Sequence, residues 1–351
     1  MASIVALLVI ASGVGAYGWV NYEKQIRSVL GWELPNDYTG TGNGTEVTVV
    51  IRAGDIGSDV AKTLASADVT MTYDAVYDYL VGHPNISFEP GNFRLQKHMS
   101  AKSAVAALAD PKNRIISEVT IPEGMAARDA LPILAAALEL PVADLESAAA
   151  DYTSLGIPAN PANSIEGYLF PARYDFEPGT SAHDALQRMV NETFARLDKA
   201  GVAPADRYRV LTLASVVQRE SGPSVADMHK IARVFQNRID RGMRLQSDAT
   251  VAYGTGNTHT VWTTKAERAD ASNLYNTYAN DGLPVGPIGL PGDDAIDSAL
   301  HPTPGAWLYF VPINLKTGET VFSETAAQHE AAAQQLRDWC AASAENKTYC
   351  T

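Results

Sequence analysis

The clearest hydrophobic pattern in the chain lies in residues 205–222. Its apolar residues fall at the i, i+3, i+4, i+7 spacing of one helix face: Val210, Leu213, Ala214 and Val217. Glu220 continues this stripe three residues further on, and Gly222 and Pro223 then end the helix. The pattern predicts a helix that brings a carboxylate to the inward face of its last turn.

A carboxylate in this position is a candidate general acid. Partial burial disfavours its ionised form, and the negative end of the helix dipole disfavours it further. Both effects raise the pKa, as a general acid that works near neutral pH requires. Periodicity alone favours a simpler interpretation, in which Glu220 pairs with Arg219 or another base, or is exposed at a frayed helix end.

Two shorter segments share a second pattern, in which an apolar strand turns at a glycine into an amphipathic helix. Residues 47–51 lead to Gly54, and residues 119–121 lead to Gly124 at the corresponding place. Two copies are too few for a solenoid, so we interpret them as two related β-α subdomains. The first resembles a LysM-like carbohydrate-binding module.

Residues 1–22 contain no charged side chain. About 20 apolar or small residues in a helix span roughly 30 Å, the thickness of the hydrocarbon core of a bilayer. The segment fits a cleaved signal peptide or a retained membrane anchor, and we favour the anchor. A polar segment at 37–44, rich in Gly and Thr, separates it from the first strand.

Composition limits the possible partners. The chain has 351 residues, 46% of them apolar, which is typical of a globular protein of two or three domains. Its 40 acidic and 27 basic residues give a formal net charge of -13. Binding to a phosphate backbone depends on clustered Lys and Arg, so the charge argues against nucleic acid as a partner.

Histidines and cysteines indicate no metal site. None of the seven histidines falls in a Ser/His/Asp or metal-binding arrangement, and the two cysteines, Cys340 and Cys350, have no ligand partners nearby. A closed loop between the two cysteines would suit an oxidising compartment outside the cytoplasm. Two free thiols are the alternative.

A dense series of short motifs occupies the second half of the chain. In order they are EGYLFP (166–171), ASVVQRES (214–221), VFQNR (234–238), GMRLQSD (242–248), TVAY (250–253), YNTY (275–278), GLPVGPI (282–288) and WLYFV (307–311). Together they resemble the YceG-like (MltG) family of endolytic murein transglycosylases. The resemblance covers roughly residues 47–322, and motifs in this order are highly specific.

The resemblance implies that the protein cuts peptidoglycan glycan strands with Glu220 as its catalytic residue. Glu220 would protonate the glycosidic oxygen between MurNAc and GlcNAc, and its conjugate base would then deprotonate the C6 hydroxyl of MurNAc. The products would carry 1,6-anhydro-MurNAc ends, without any metal or cofactor. The resemblance also implies a single-pass protein of the bacterial cell membrane, with its catalytic domain outside the cytoplasm and with peptidoglycan synthases as partners.

One position departs from the family pattern. Many members carry Glu-x-Glu in the helix motif, whereas this chain has Gln218, Arg219 and Glu220. We assign the catalytic role to Glu220 because Ser221 follows it, as in the Glu-Ser motif of lysozyme-like transglycosylases, and because it extends the apolar stripe.

The same resemblance implies a set of residues that bind the sugar. They are Gln246, Ser247, Asp248, Tyr253, Tyr275, Asn276, Tyr278 and Glu166. The tyrosines could stack on N-acetyl sugars, although half-buried structural tyrosines are equally common. Asp248 could tune the acid or cap a helix that starts near Thr250, and Glu166 fits a structural ion pair better. The Gly- and Pro-rich segment 282–291 is predicted to form the rim of the cleft.

These patterns and the resemblance together predict an α+β protein. It would combine an N-terminal transmembrane helix, small LysM-like β-α subdomains, and a mixed helical and stranded catalytic domain with a lysozyme-like catalytic helix. The predicted boundaries are anchor 1–22, linker 23–44, LysM-like subdomain 45–115, second β-α connecting subdomain 116–163, catalytic domain 164–338 and tail 339–351.

Two other functions fit the sequence. The altered Gln218 would suit a degenerate peptidoglycan-binding scaffold for wall-synthesis enzymes. A muramidase-type hydrolase would need a second carboxylate, such as Asp248 or Glu166, within reach of the bond. The chemistry of the product distinguishes all three.

Overall fold

The computed structural model of the chain describes residues 19, 22, 23, 27, 29–31, 35–257 and 263–350. They form two compact units, one ending at Ile116 and the other starting at Ser117. Both units combine helices with small antiparallel sheets, so the predicted α+β class is confirmed.

Within residues 46–116, the first unit contains a three-stranded sheet and three α-helices. The strands are β1 (Glu46–Ile51), β2 (Gly91–Gln96) and β3 (Arg114–Ile115), in the order β1-β2-β3, and the helices are α1 (Gly57–Ser66), α2 (Tyr73–Val81) and α3 (Ala101–Ala109). Alternate residues of β1 point inward, so that Val49 and Ile51 are buried against Val60 and Leu64 of α1. The predicted strand, glycine turn and helix at residues 47–64 are confirmed.

Part of the predicted linker belongs to this first unit. The carboxylate of Asp37 accepts a hydrogen bond from the backbone N–H of Ala101, at the start of α3, at 3.0 Å. Thr41 forms a backbone bridge with Met99. Residues 37–41 are therefore held against the folded unit by their own backbone and side chains.

The second unit holds the segments that carry the motifs. Its helices are α4 (Ala127–Leu138), α5 (Val142–Ala150), α6 (Ala182–Lys199), α7 (Arg207–Glu220), α8 (Val225–Asp240), α9 (Asp248–Thr255), α10 (Lys265–Ala269), α11 (Asp293–Leu300), α12 (Ala326–Ala341) and α13 (Ala344–Tyr349). Its strands pair as β4 (Ser117–Thr120) with β5 (Arg173–Phe176) and as β6 (Tyr309–Asn314) with β7 (Glu319–Ser323), both antiparallel.

Segment 116–163, predicted to be a connecting subdomain, lies almost entirely within the second unit. Its strand β4 pairs with β5, with Val119 opposite Tyr174. Leu131 and Leu134 of α4 join the same hydrophobic core as Leu186 of α6. This segment therefore shares its core with the region predicted to be catalytic.

Helix α7 lies at the centre of the second unit. All eight residues from Val210 to Val217 are buried, which is typical of a helix surrounded by protein on every side. Leu211 and Ala214 pack into one hydrophobic core, and Val216 and Val217 pack into another. Two cores thus fix the direction in which α7 delivers its last turn.

The chain ends in a hairpin and two helices. Strands β6 and β7 form the hairpin, and Phe310 packs edge-on against Phe235 of α8 with ring centroids 5.9 Å apart. Cys340 of α12 and Cys350, after α13, form a disulfide. Of the two alternatives for the cysteines, the closed loop is the one observed.

The predicted membrane anchor, residues 1–22, lies outside the described residues except for residues 19 and 22. Within the part of the chain that the structure describes, no helix combines the length and the apolar character needed to cross a membrane.

Candidate active site

Glu220 is the last residue of α7, at the point where this central helix leaves the core. Val217 is fully buried, and Glu220 three residues later is half-buried. Ser221 turns the backbone to an extended conformation and ends the helix. The helix itself thus places one carboxylate at the edge of the protein interior, as predicted.

The start of another helix, α9, lies beside the end of α7. The Ser247 hydroxyl donates a hydrogen bond to Oε1 of Glu220 and also accepts one from the backbone N–H of Thr250, at 3.4 Å. Ser247 is therefore the N-cap of α9. The Glu220 carboxylate faces the amino-terminal end of α9, where free backbone N–H groups favour negative charge.

Several groups set the pKa of Glu220. Burial has the largest effect and raises the pKa, because an ionised carboxylate loses its hydration. The hydrogen bond from Ser247 lowers the pKa, the negative charge of Asp248 raises it, and the backbone of Ala249 and the charge of Arg219 lower it again. The net result is a raised pKa, as a general acid requires.

Asp248, the neighbour of Ser247, belongs to a separate polar cluster. Its carboxylate accepts hydrogen bonds from the Thr263 hydroxyl and, at 3.3 Å, from the Tyr278 hydroxyl. The Arg268 guanidinium lies 3.3 Å from the same carboxylate. Asp248 opens α9 and Ser247 caps it, so the alternative in which Asp248 caps a helix starting near Thr250 is wrong.

Glu166 has a different environment from Glu220. It is 2% exposed, and both of its carboxylate oxygens lie 3.0 Å from the backbone N–H of Ala127, at the start of α4. The Tyr253 hydroxyl donates a further hydrogen bond to it at 2.8 Å. Burial outweighs these bonds and raises the pKa of Glu166 to about 7. Glu166 thus caps α4 and ties it to α9.

The remaining predicted sugar-binding residues lie in varied surroundings. Asn276 is fully buried, and its amide donates to three backbone carbonyls, those of Glu267, Arg268 and Asp270. The ring of Tyr275 packs edge-on against that of Tyr253, with ring centroids 4.7 Å apart. Gln246 is exposed. Sugar contacts by these residues stay a prediction.

Gln218, the departure from the family pattern, braces the backbone next to the site. Its side-chain oxygen accepts a hydrogen bond from the N–H of Gly292 at 3.1 Å. A glutamate at this position could accept the same bond, because both side chains end in an oxygen acceptor. The position therefore acts as a structural acceptor, which fits the assignment of the acid to Glu220.

The Gly- and Pro-rich segment lies along α7. Ile288 is fully buried, and its N–H donates to the Ser215 hydroxyl at 2.9 Å. A Cβ added to Gly286 would lie 2.6 Å from the Tyr208 hydroxyl, so the close approach requires glycine. The segment thus supports the helix that carries Glu220, and its central residues do not form the predicted rim of the cleft.

Glu220 opens into a cleft of about 250 Å³. One wall comes from Ser221, Gly222 and Pro223, and the other comes from the β6–β7 hairpin, including Phe310 and residues 315–318. Sequence reasoning missed this wall. The signal was present, because two apolar segments flank the turn sequence Asn-Leu-Lys-Thr-Gly at 314–318, which is typical of a hairpin.

A larger cleft, of about 560 Å³, lies elsewhere in the second unit. Tyr168, Phe194 and Arg207 are among its lining residues, and Glu220 is not. This cleft is larger than the one around Glu220, but the carboxylate that has a raised pKa and faces a capped helix lies in the smaller cleft. We therefore place the chemistry in the cleft that contains Glu220.

The described part of the chain contains no cluster of three or more His, Cys, Asp or Glu side chains that could hold a metal ion. What the site can do is acid and base chemistry. It offers one carboxylate that exchanges a proton, with a hydroxyl and a helix terminus to stabilise the ionised form.

Residues 49–335 match the model of the YceG-like family. The endolytic murein transglycosylase of Bacillus subtilis is 30% identical over 311 residues, which are 83% of this chain and 85% of that protein. The endolytic murein transglycosylase of Streptococcus pneumoniae D39 is 27% identical, and the match covers 94% of this chain and 64% of that protein. A crystal structure of a YceG-like protein from Listeria monocytogenes is 28% identical, with a TM-score of 0.54, and covers 82% of this chain and 99% of that one.

Proposed function

The chain belongs to the YceG-like family, and we propose that it is a peptidoglycan lytic transglycosylase that cuts glycan strands internally, with Glu220 as its acid and base. The observation that carries the assignment of Glu220 is its environment. A single carboxylate with a raised pKa lies in a cleft, where the N-cap of a second helix donates a hydrogen bond to it.

The first step uses the protonated acid. Glu220 donates its proton to the glycosidic oxygen between MurNAc and GlcNAc, and the C1–O bond breaks as that oxygen leaves as a hydroxyl. Burial raises the pKa of Glu220 and so favours the protonated form that this step requires. The N-acetyl group of the same MurNAc stabilises the positive charge that develops at C1.

The second step uses the conjugate base. The Glu220 carboxylate removes the proton from the C6 hydroxyl of MurNAc, and the C6 oxygen attacks C1 to close the 1,6-anhydro ring. Glu220 is then protonated again and ready for the next cycle. The Ser247 hydroxyl and the start of α9 stabilise the ionised form between the two steps.

A single carboxylate is enough for this reaction, whereas hydrolysis normally needs two. Glu166 is buried and holds the start of α4, and the cleft around Glu220 does not include it among its lining residues. Asp248 is held by Thr263, Tyr278 and Arg268. This arrangement supports ring closure over attack by an activated water.

The location of the protein is part of the proposal. The uncharged segment 1–22 supports a single-pass anchor in the bacterial cell membrane. The disulfide between Cys340 and Cys350 supports a catalytic unit outside the cytoplasm, since disulfides persist in oxidising compartments. Selective labelling of Lys347 or other exposed lysines by a membrane-impermeant reagent in intact cells tests this location. A protein that is labelled only after lysis would contradict it.

Two finer assignments complete the proposal. The turn after β1, at Gly54, leads directly into α1, which supports a LysM-like fold for the first unit and glycan as its ligand. Peptidoglycan synthases that polymerise nascent strands are the proposed partners. Pull-down of isolated strands by the full chain, with and without the Val50→Asp variant of the exposed side of β1, tests glycan binding by the first unit.

The decisive experiment compares three forms of the full chain on purified glycan strands. They are the native protein, Glu220→Gln, and the control Glu146→Gln, which changes an exposed glutamate of α5. Mass spectrometry then counts 1,6-anhydro-MurNAc ends. We expect the native and control proteins to produce them, and Glu220→Gln to lose roughly 10²- to 10⁴-fold of the rate.

Other outcomes point to other functions. Reducing ends in place of anhydro ends would make the protein a muramidase-type hydrolase, with Asp248 as the next residue to replace. Strands that are bound but left intact by the native protein would favour the scaffold. Full activity in Glu220→Gln would remove Glu220 from the mechanism.

A further inference from the structure

The turn of the β6–β7 hairpin is a fixed part of the wall of the Glu220 cleft. The Asn314 side chain accepts hydrogen bonds from the backbone N–H groups of Lys316 and Thr317, at 3.0 and 3.2 Å. Gly318 closes the turn with a φ of 76°, a conformation that favours glycine. A Cβ on Gly318 would lie 3.3 Å from Pro223, so the turn lies directly beside the end of α7.

Lys316 gives this wall its charge. Of the described residues that line the cleft, Lys316 and Glu220 are the ones that ionise, and Lys316 is the one with a positive charge. The protein as a whole has a formal net charge of -13. A cationic residue beside the proposed acid therefore stands out against the overall charge, which repels anions.

In the free protein Lys316 has an internal partner. Its ammonium group lies 2.8 Å from the Glu345 carboxylate of α13, and this bond raises the pKa of Lys316, so the lysine stays charged. Both side chains are more than half exposed. Such a pair contributes little to stability, so a carboxylate of another molecule can replace that of Glu345 at low cost in free energy.

The disulfide keeps Glu345 in place. Cys340 lies near the carboxyl end of α12, and Cys350 follows α13. The disulfide between them closes the short tail that carries Glu345. Leu315, the neighbour of Lys316, contributes both to the cleft around Glu220 and to a second cleft lined by the two cysteines. The tail and the wall of the Glu220 cleft are thus in direct contact.

We propose that Lys316 binds a carboxylate of the peptide stems that peptidoglycan carries on MurNAc, and that Glu345 occupies its place in the free protein. This inference rests on the proposed function and adds a specificity determinant to it. A strand whose stems carry free carboxylates would exchange Glu345 for one of its own and gain affinity near the bond to be cut. Lys316 contributes to substrate affinity, whereas Glu220 contributes to cleavage of the glycosidic bond.

The experiment uses the full chain and two forms of the same glycan strands. One form has stems with free carboxylates, and in the other form carbodiimide and ammonia have converted them to amides. Rates of anhydro-end formation are measured for the native protein, Lys316→Gln, Glu345→Gln and the control Lys347→Gln. Lys347 lies in α13 together with Glu345 and does not line the Glu220 cleft.

On strands with free carboxylates, we expect Lys316→Gln to raise KM roughly two- to five-fold at low salt, as for an exposed ion pair. Glu345→Gln should lower KM, because it removes the competing carboxylate. Both effects should decrease as salt screens the charges, and both should vanish on amidated strands. Lys347→Gln should match the native protein on both substrates.

Two results would overturn the inference while leaving the proposed function in place. The first is a change in Lys316→Gln that is equal on free and amidated strands, which indicates a structural role. The second is native KM for Lys316→Gln on both substrates. If the native protein forms no anhydro ends on either substrate, the proposed function itself fails and this inference fails with it.

Discussion

The Ser247 hydroxyl donates a hydrogen bond to the Glu220 carboxylate and thereby joins the last residue of α7 to the N-cap of α9. The carboxylate lies at the end of its own helix, whose dipole disfavours negative charge, and at the start of another helix, whose dipole favours it. Burial decides the balance in favour of a raised pKa. This arrangement suits a group that must both give and take a proton.

Ser247→Ala should move the pH dependence of the reaction to higher pH. The hydrogen bond from Ser247 lowers the pKa of Glu220, so its loss leaves the pKa further raised. A general acid is active when protonated, and activity should then persist to a higher pH before it declines. The measurement is the rate of anhydro-end formation from pH 4 to pH 9.

The control for this variant is Ser181→Ala, the N-cap of α6. Both substitutions remove a cap and should each cost about 1 kcal/mol of the free energy of unfolding. Ser181 does not contact Glu220, so its variant should keep the native pH profile. Equal profiles for all three proteins would contradict a role of Ser247 in setting the pKa.

Asp248→Asn should have the opposite effect. The negative charge of Asp248 raises the pKa of Glu220, so a neutral side chain should lower that pKa and move the decline in activity to lower pH. Asp281→Asn, which removes an exposed carboxylate from an ion pair with Arg244, serves as the control. Complete inactivity of Asp248→Asn at every pH would instead indicate a direct part in the reaction.

Gln218→Glu should keep activity within a few-fold of the native value. The glutamate oxygen can accept the same hydrogen bond from Gly292. Gln218→Ala lacks the acceptor and should lose about 1 kcal/mol of the free energy of unfolding in urea. A gain of tenfold or more in Gln218→Glu would show that the departure at this position lowers activity.

Glu166 should make the stability of the protein fall as pH rises. Its folded-state pKa is raised from 4.5 to about 7, so folding favours the protonated form. The free energy of unfolding should therefore decrease between about pH 4.5 and pH 7, by about 3 kcal/mol, and level off above that. Glu166→Gln does not titrate and should lack this decrease.

The quantity to measure is the difference in free energy of unfolding between the native protein and Glu166→Gln, from urea titrations at each pH. Other titrating groups are common to both proteins and cancel. If the native protein instead gains stability relative to the variant over this range, the hydrogen bonds from Ala127 and Tyr253 outweigh burial, and the pKa shift has the opposite sign.

Local sequence determined the elements that carry the chemistry. Apolar spacing defined α7 and placed Glu220 at its inward end, and the glycine turns at Gly54 and Gly124 marked two strand-to-helix transitions. These features depend on residues that are close together in the sequence, so they can be predicted without knowledge of the tertiary structure. The motif series then indicated the family, because several short segments agreed in order.

Tertiary structure decided which groups face one another. Glu220 and Ser247 are 27 residues apart, and Glu166 and Tyr253 are 87 apart. Periodicity indicates that a side chain is buried but not which distant segment covers it. The sequence therefore predicts that Ser247 contacts the sugar, and it does not decide whether Glu166 belongs to the site or has a structural role. Even the stripe on α7 was incomplete evidence, since two cores bury the helix on every side.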